Sequence, residues 1–235
     1  MRIVNWNCCR GRHEAKLPPL LGLQPDVAVI QESPRPGAQL APSQLWLGTN
    51  ERSGLLCLAF DPWRLEPVEG LVTEREFFLP ATVTGPGNSR CNLLAVWTKA
   101  GKQYPKYTRE FQEGMAFYRD FIASAPTIVV GDFNAYWYDD KEPFRQYGLV
   151  SAYHAWTGSA FREEKHPTYY FWWQRKRPYH FDYCLVPRRW RKRIKGVEVG
   201  TYRKWTGAGL SDHCPLVVDL SSRAQRRTDH AHSAS

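Results

Sequence analysis

Seven short apolar runs recur along the chain, at positions 3–6, 27–30, 55–60, 93–96, 127–130, 181–186 and 215–220. Each is four to six residues long, rich in β-branched side chains and closed by Pro, Gly or polar residues. Runs of this length are too short for amphipathic helices and read as strands. Those at 27–30 and 127–130 are apolar without alternation, which predicts strands covered on both faces. Helical periodicity is scarcer. Over 109–123, Phe111, Met115, Tyr118 and Ile122 recur at steps of four, three and four and form one apolar stripe, which Ala125-Pro126 ends. A second helix is expected within 14–23, shortened or repositioned by Pro18 and Pro19. Strands mixed with few helices predict an α/β protein with layered sheets. A chain of 235 residues, 43% of them hydrophobic, can bury one sizeable core. One domain is expected over 1–220. The segment 221–235 is polar, basic and aperiodic and is expected to be a disordered tail, with His230 and His232 incidental.

No apolar run approaches the ~20 residues of a membrane span, and the first residues show no apolar signal region. The six cysteines contain no C-x-x-C pair, which disfavours a zinc site. Most lie in strand-like runs, as reduced cysteines of a cytoplasmic protein would. The net charge of +9 is concentrated. From Arg175 to Lys204, eleven Lys and Arg stand against Asp182 and Glu198, so this stretch alone carries +9. Such a face either binds polyanions by counterion release or serves as a solvated surface.

The informative polar residues stand at strand ends. Asn7 ends the first run, Gln31-Glu32 ends the second, and Gly131-Asp132-Phe133-Asn134 follows 127–130. Asp182 lies within an otherwise apolar run, and Ser211-Asp212-His213 precedes the last. Strand ends at one edge of a sheet converge in space, so these groups can share a site. Singly, each reads as well as a turn or strand terminus. Asp182, flanked by Phe181 and Tyr183, would be buried and needs a partner, for which His213 is suited. Carboxylates, carboxamides and one imidazole, without sulfur, favour a hard cation such as Mg²⁺ or Mn²⁺.

Asn7, Glu32, Gly131-Asp132-Phe133-Asn134, Asp182-Tyr183 and Ser211-Asp212-His213-Cys214-Pro215 resemble the ordered motifs of the endonuclease/exonuclease/phosphatase superfamily. The resemblance spans 2–220, and the Asp-His-Cys-Pro run is most similar to the exonuclease III-like apurinic endonucleases. It implies a four-layered α/β/β/α sandwich with two facing mixed sheets and a cleft at one end. It also implies Mg²⁺- or Mn²⁺-dependent hydrolysis of DNA phosphodiesters, with abasic sites and DNA repair as the narrower expectation. A monomer is expected. Glu32 would be the main metal ligand, assisted by Asn7 and Asp212. Asp132 would position or deprotonate the attacking water, and Asn134 would orient it. His213 would donate to a phosphate oxygen, held by Asp182.

Two positions depart from the family pattern. Trp97 stands where relatives place a Tyr or His that reaches the phosphate. An indole donates one N–H and is neither acid nor base, which leaves Thr98 or Lys99 to replace that contact. After Asn7 the chain reads Cys8-Cys9-Arg10-Gly11, and Arg10 either adds a phosphate contact or marks a loop that differs. The run Tyr169-Tyr170-Phe171-Trp172-Trp173 leads into Arg175-Lys176-Arg177. Trp172, Arg175 and Arg177 either stack bases and grip a backbone or form a core strand and a surface loop. The run Arg188–Arg193 is expected along the same nucleic-acid track. Two rival readings remain: the same chemistry on RNA, nucleotides or other phosphoesters, and a non-catalytic nucleic-acid-binding module.

Overall fold

Side-chain alternation in strand β1 (Arg2–Asn7) sets the architecture. Ile3 enters one apolar core, whereas Val4 and Trp6 enter another. Asn5 and Asn7 share the Ile3 face by the two-residue period of a strand. The computed structural model describes residues 1–68, 70, 77–99, 106–137 and 143–221. The expected tail lies outside the described residues beyond 221, with His230 and His232.

The further strands in the first part of the chain are β2 (Val27–Ser33), β3 (Ser43–Asn50), β4 (Ser53–Ala59), β5 (Arg64–Pro67), β6 (Phe78–Gly85) and β7 (Ser89–Trp97). They are followed by β8 (Thr127–Asp132), β9 (Leu149–Ser151), β10 (Tyr169–Tyr170), β11 (Pro178–Tyr179), β12 (Asp182–Pro187), β13 (Ile194–Val199) and β14 (Leu216–Leu220). One six-stranded sheet runs β13-β14-β1-β2-β4-β3 and the other β5-β6-β7-β8-β12-β9. Both are mixed: β1 pairs parallel with β2 and antiparallel with β14, and β8 pairs parallel with β7 and antiparallel with β12. The α-helices among the described residues are α1 (His13–Leu21), α2 (Tyr107–Phe117), α3 (Arg119–Ser124) and α4 (Ala152–Thr157).

Three apolar cores separate four layers. Ile3, Val29, Cys57, Ala95, Val130 and Cys184 fill the space between the sheets. Leu20 of α1 packs with Trp6 and Leu58 on the outer face of the first sheet. Phe111, Met115 and Ile122 pack with Leu94 and Val129 on the outer face of the second. This is the expected α/β/β/α sandwich. All seven expected strands form. The expected helix over 109–123 is instead two helices that break at Tyr118, whose backbone (φ −91°, ψ 17°) leaves the helical range. The stripe survives the break because Phe111, Met115, Tyr118 and Ile122 all reach one core. Pro18 and Pro19 lie inside α1, close to its end. Their missing N–H groups remove hydrogen bonds only in the last turns. Gly131 is required by close approach, because a Cβ there would stand 1.8 Å from the Val96 carbonyl oxygen.

Among the described residues no helix is long and apolar enough to cross a membrane. All six cysteines are free thiols, and all but Cys9 are buried.

Candidate active site

The alternation that fills the inter-sheet core also carries its polar exception. Beyond Ile3, Val29 and Val130, the same face continues into Asn5 and Asn7 of β1, Gln31 of β2 and Asp132 of β8. Asp182 begins β12 on that face, and register pairs it with Asp132. These groups meet at one end of the sandwich, below the loop that brings in Ser211, Asp212 and His213.

Asp182 and His213 are buried together, with Asp182 Oδ2 2.8 Å from His213 Nδ1. Asp182 Oδ1 accepts from Asn5 Nδ2 at 3.0 Å, and Asn5 Oδ1 accepts from Gln31 Nε2 at 2.8 Å. Asp182 is therefore held from both sides. The Ser211 hydroxyl donates to the Asn7 carbonyl at 2.6 Å and accepts from the His213 N–H at 3.0 Å, which ties the imidazole loop to β1. Burial opposes a charge on His213, but Asp182 and Asp132 outweigh it and push the imidazole up to about 10. His213 is thus an imidazolium at neutral pH.

Asp132 is fully buried. Its Oδ1 accepts from the Asn134 N–H at 2.9 Å, and its Oδ2 accepts from Asn134 Nδ2 at 2.8 Å and Asn7 Nδ2 at 2.9 Å. Burial raises its carboxyl to about 7, which His213 opposes and Asp182 reinforces. His213 Nε2 stands 3.8 Å from Asp132 Oδ2, within charge reach but beyond hydrogen-bond distance. Asp132, Asp182 and His213 form the one compact acid–imidazole group among the described residues that could hold a metal ion.

Glu32 differs. It lies where the β2–β4 register shifts, has φ +55° and keeps its side chain partly exposed. Asn7 Nδ2 links it to Asp132 by a longer contact of 3.3 Å to Oε1. Arg10 Nε lies 3.5 Å from Oε2, with most of the Arg10 side chain exposed. Cys9 donates its N–H to Asn7 Oδ1 at 2.9 Å. Burial, with Asp212 and Glu32 nearby, pushes the Cys9 thiol up to about 12. Six of the nine described non-glycine residues with positive φ surround this end: Cys9, Arg10, Glu32, Asn134, Trp172 and Trp173. Such strain of about 1–3 kcal/mol per residue concentrates at functional sites.

The short β10–β11 hairpin borders His213, since Tyr169 bridges to His213 and their rings lie 4.6 Å apart. Its loop presents Trp172, 71% exposed, rather than burying it as a core strand would. The Arg177 guanidinium lies 4.3 Å over the Phe171 ring, and Arg175 reaches toward Tyr202. Trp97 shares the inward face of Leu93 and Ala95, packs edge-on against Phe77 and is buried. Thr98 is buried too and donates to the Phe133 carbonyl at 2.5 Å. The Lys99 ammonium sits over the Trp97 and Phe77 rings at 3.9 and 4.2 Å.

The run Arg188–Arg193 contradicts expectation. It forms a 3₁₀ helix after the last residue of β12, whereas the site adjoins the first. Six strand residues at about 3.3 Å each put it at the far end of the sandwich.

Two residues near the site were not singled out from sequence. Asn5 reads as one polar residue in an apolar strand, and only its odd position, shared with Ile3 and Asn7, marks it. Tyr107 begins α2, and burial together with the charges of Asp132 and Glu32 raises its phenol pKa. Asn5→Ala is expected to lower stability by about 1.5–3 kcal/mol, because Asp182 loses a charge-assisted donor. Urea unfolding checks this as a lower midpoint at an unchanged slope.

A model of the Endonuclease/Exonuclease/phosphatase family matches residues 4–213. The chain belongs to the endonuclease/exonuclease/phosphatase family. Enzymes of this family are hydrolases of phosphodiester bonds, and the matched range includes every strand-end group described above. No curated protein matches. Solved structures share the fold at low identity. A 3′-5′ exonuclease (NExo) from Neisseria meningitidis is 18% identical with a TM-score of 0.67, covering 94% of this chain and 100% of that one. An AP endonuclease from Archaeoglobus fulgidus is 14% identical with a TM-score of 0.65 at the same coverages. Truncated Caenorhabditis elegans TDP2 is 15% identical with a TM-score of 0.67, covering 94% and 97%.

Proposed function

We propose that the chain is a nuclease that hydrolyses DNA phosphodiesters with Mg²⁺ or Mn²⁺, abasic duplex being the first substrate to test. The carrying observation is the buried Asp182–His213 pair, whose outer nitrogen faces Asp132 across 3.8 Å. An imidazolium and a carboxylate at that spacing could act side by side, the first donating to a phosphoryl oxygen and the second accepting from an attacking water next to it.

Glu32, Asn7 and Asp212 would hold the cation. They offer only oxygen donors, as a hard cation requires, and the raised Cys9 thiol stays protonated beside them. The bound cation supplies Lewis-acid stabilisation of phosphoryl oxygens. The chain's own residues do the rest. Asp132 accepts the proton of the attacking water, and Asn134 and Asn7 fix its carboxylate. His213 Nε2–H donates to a non-bridging oxygen and balances the charge that grows in the transition state. Asp182 holds Nδ1, and Asn5 and Gln31 hold Asp182.

A polynucleotide is favoured over a small phosphoester by the loop beside His213. Trp172 offers an exposed stacking face, and Arg175 and Arg177 follow it in the loop. Arg10 sits at the Glu32 rim as a further phosphate contact, whereas Lys99 is placed to contribute charge while it packs on Trp97.

The test is a panel of labelled single-stranded DNA, duplex, abasic duplex, 3′-phosphorylated duplex and RNA, with EDTA, Mg²⁺ or Mn²⁺. Metal-dependent DNA cleavage that disappears in Glu32→Ala is expected. DNA left intact under every metal condition, or cut equally by Glu32→Ala, sinks the proposal.

A further inference from the structure

Tyr107, the first residue of α2, is held at the rim of the cleft by the path of the chain. Strand β7 runs toward the site and ends on Trp97, whose register partner is Asp132. The chain then returns along the outer face of the second sheet through α2 and α3. Late in that return the Phe121 carbonyl accepts from Asn92 Nδ2 at 2.8 Å, near the start of β7. Helix α2 therefore begins at the site end and runs away from it. Phe111 lies one turn into α2, and its ring stands 4.4 Å from that of Phe133, which separates Asp132 from Asn134. Positions i and i+4 of a helix share a face, so Tyr107 stands over the same loop, about 6 Å nearer the helix start. Helical side chains lean toward the N-terminus. At position 107 that direction carries the phenol past the end of the helix and over the carboxylates.

The charges around the phenol agree with that position. Burial, then Asp132 and Glu32, raise its pKa, and Tyr107 in turn acts on the phenol of Tyr169, whose ring lies 4.6 Å from that of His213. Asp132 and Glu32 belong to different sheets, so a group that feels both lies over the gap between them. The hydroxyl holds nothing in the fold together. Tyr107 is 39% exposed, and among the described residues no hydrogen bond takes up its O–H. The neighbouring donors are engaged elsewhere. The Trp97 ring is turned into the core, the Thr98 hydroxyl donates to the Phe133 carbonyl, and the Lys99 ammonium lies over Trp97. A phenol raised above its usual range stays protonated at neutral pH. It is a neutral donor, so it does not repel a cation held at Glu32.

We propose that Tyr107 is a catalytic residue whose O–H donates to a non-bridging oxygen of the scissile phosphodiester, alongside His213. This role rests on the phosphodiesterase reading of the cleft and adds a donor to it from the outer helical layer. The proton stays on the phenol throughout, because the contact stabilises charge on the phosphoryl oxygens and transfers nothing.

The experiment compares Tyr107→Phe with the native full chain in Mn²⁺, on the labelled DNA of the panel above and on bis(p-nitrophenyl) phosphate, a small diester without bases. Loss of a donor to a charged oxygen should lower kcat/KM by about 10–100-fold on both. The melting temperature should not change, because the hydroxyl has no partner in the protein. DNA with a single phosphorothioate of known configuration at the cleaved linkage then locates the contact. Sulfur in place of the oxygen that Tyr107 contacts should slow the native protein more than the variant. The proposal is overturned by a loss below about twofold on both substrates, or by sulfur that slows both proteins equally in either configuration. A loss confined to DNA also overturns it and makes Tyr107 a strand contact away from the reacting phosphate. Failure of the nuclease reading looks different: the native protein would leave DNA intact, while the small diester would still decide the role of Tyr107. A native protein that hydrolyses neither substrate overturns both.

Discussion

His213→Ala is expected to lower kcat by about 10²–10³-fold, the usual loss when one preorganised donor to a developing charge is removed. KM for DNA should move little, because Arg10, Arg175 and Arg177, the proposed phosphate contacts, remain. The imidazole is suited to so large an effect by its surroundings. It is buried, bonded to Asp182 at 2.8 Å and charged at neutral pH. Its donor is thus fixed before substrate arrives and needs no reorganisation. Asp182→Asn should give a smaller loss, because the side chain still fits but no longer stabilises the imidazolium. Single-turnover cleavage by the two variants measures both. A loss below tenfold in His213→Ala would remove His213 from the chemistry and return the Asp182 pair to a structural role.

Asn7, Asp132 and Asp182 are legible in the sequence for a physical reason. A sheet buried on both faces tolerates a polar side chain only where something partners it. Asn7, Asp132 and Asp182 therefore stand out against apolar runs such as Thr127–Asp132. The edges were less legible. Strand β6 contains Pro80, which reads as a break although it pairs with Leu94 of β7. Strand β5 is Arg-Leu-Glu-Pro, of which only Leu65 is buried. Its side chains carry almost no hydrophobic signal, so tertiary pairing alone makes it a strand. The distribution of charge in space is hidden in the sequence for a different reason. Arg175 and Arg188 are thirteen positions apart, but β12 crosses the whole sheet between them, and charge runs carry no record of direction. Parity within a strand is local and can be read, whereas the end of the sandwich a loop occupies depends on how the strands are threaded.

Threading is also what gives Asp132 and His213 opposite demands on protons, and the pH dependence should expose them. Asp132 must be ionised to accept a proton from water. Burial raises its carboxyl to about 7, so activity should fall about tenfold per pH unit below that point. His213 must keep its proton, and Asp182 and Asp132 raise it to about 10 against burial, so activity should fall only as pH rises through that value. The metal-free protein should thus show a carboxyl titrating near 7 and an imidazole near 10 by carbon and nitrogen NMR. A cation beside Glu32 favours the carboxylate and should move the acid limb of kcat/KM below 7. The stability term from His213 has the same sign as its protonation: it is fully present below about 6.5 and is lost as pH passes through 10. Asp182→Asn removes the largest stabiliser of the imidazolium and should shift the basic limb down while leaving a rate plateau. Asp132→Asn has no plateau to shift. It abolishes the proton acceptor and should cost at least about 10²–10⁴-fold at every pH. A residual rate that still rises with pH through 7 in Asp132→Asn would assign the base to another group, Glu32 being the nearest carboxylate that Asn7 also holds.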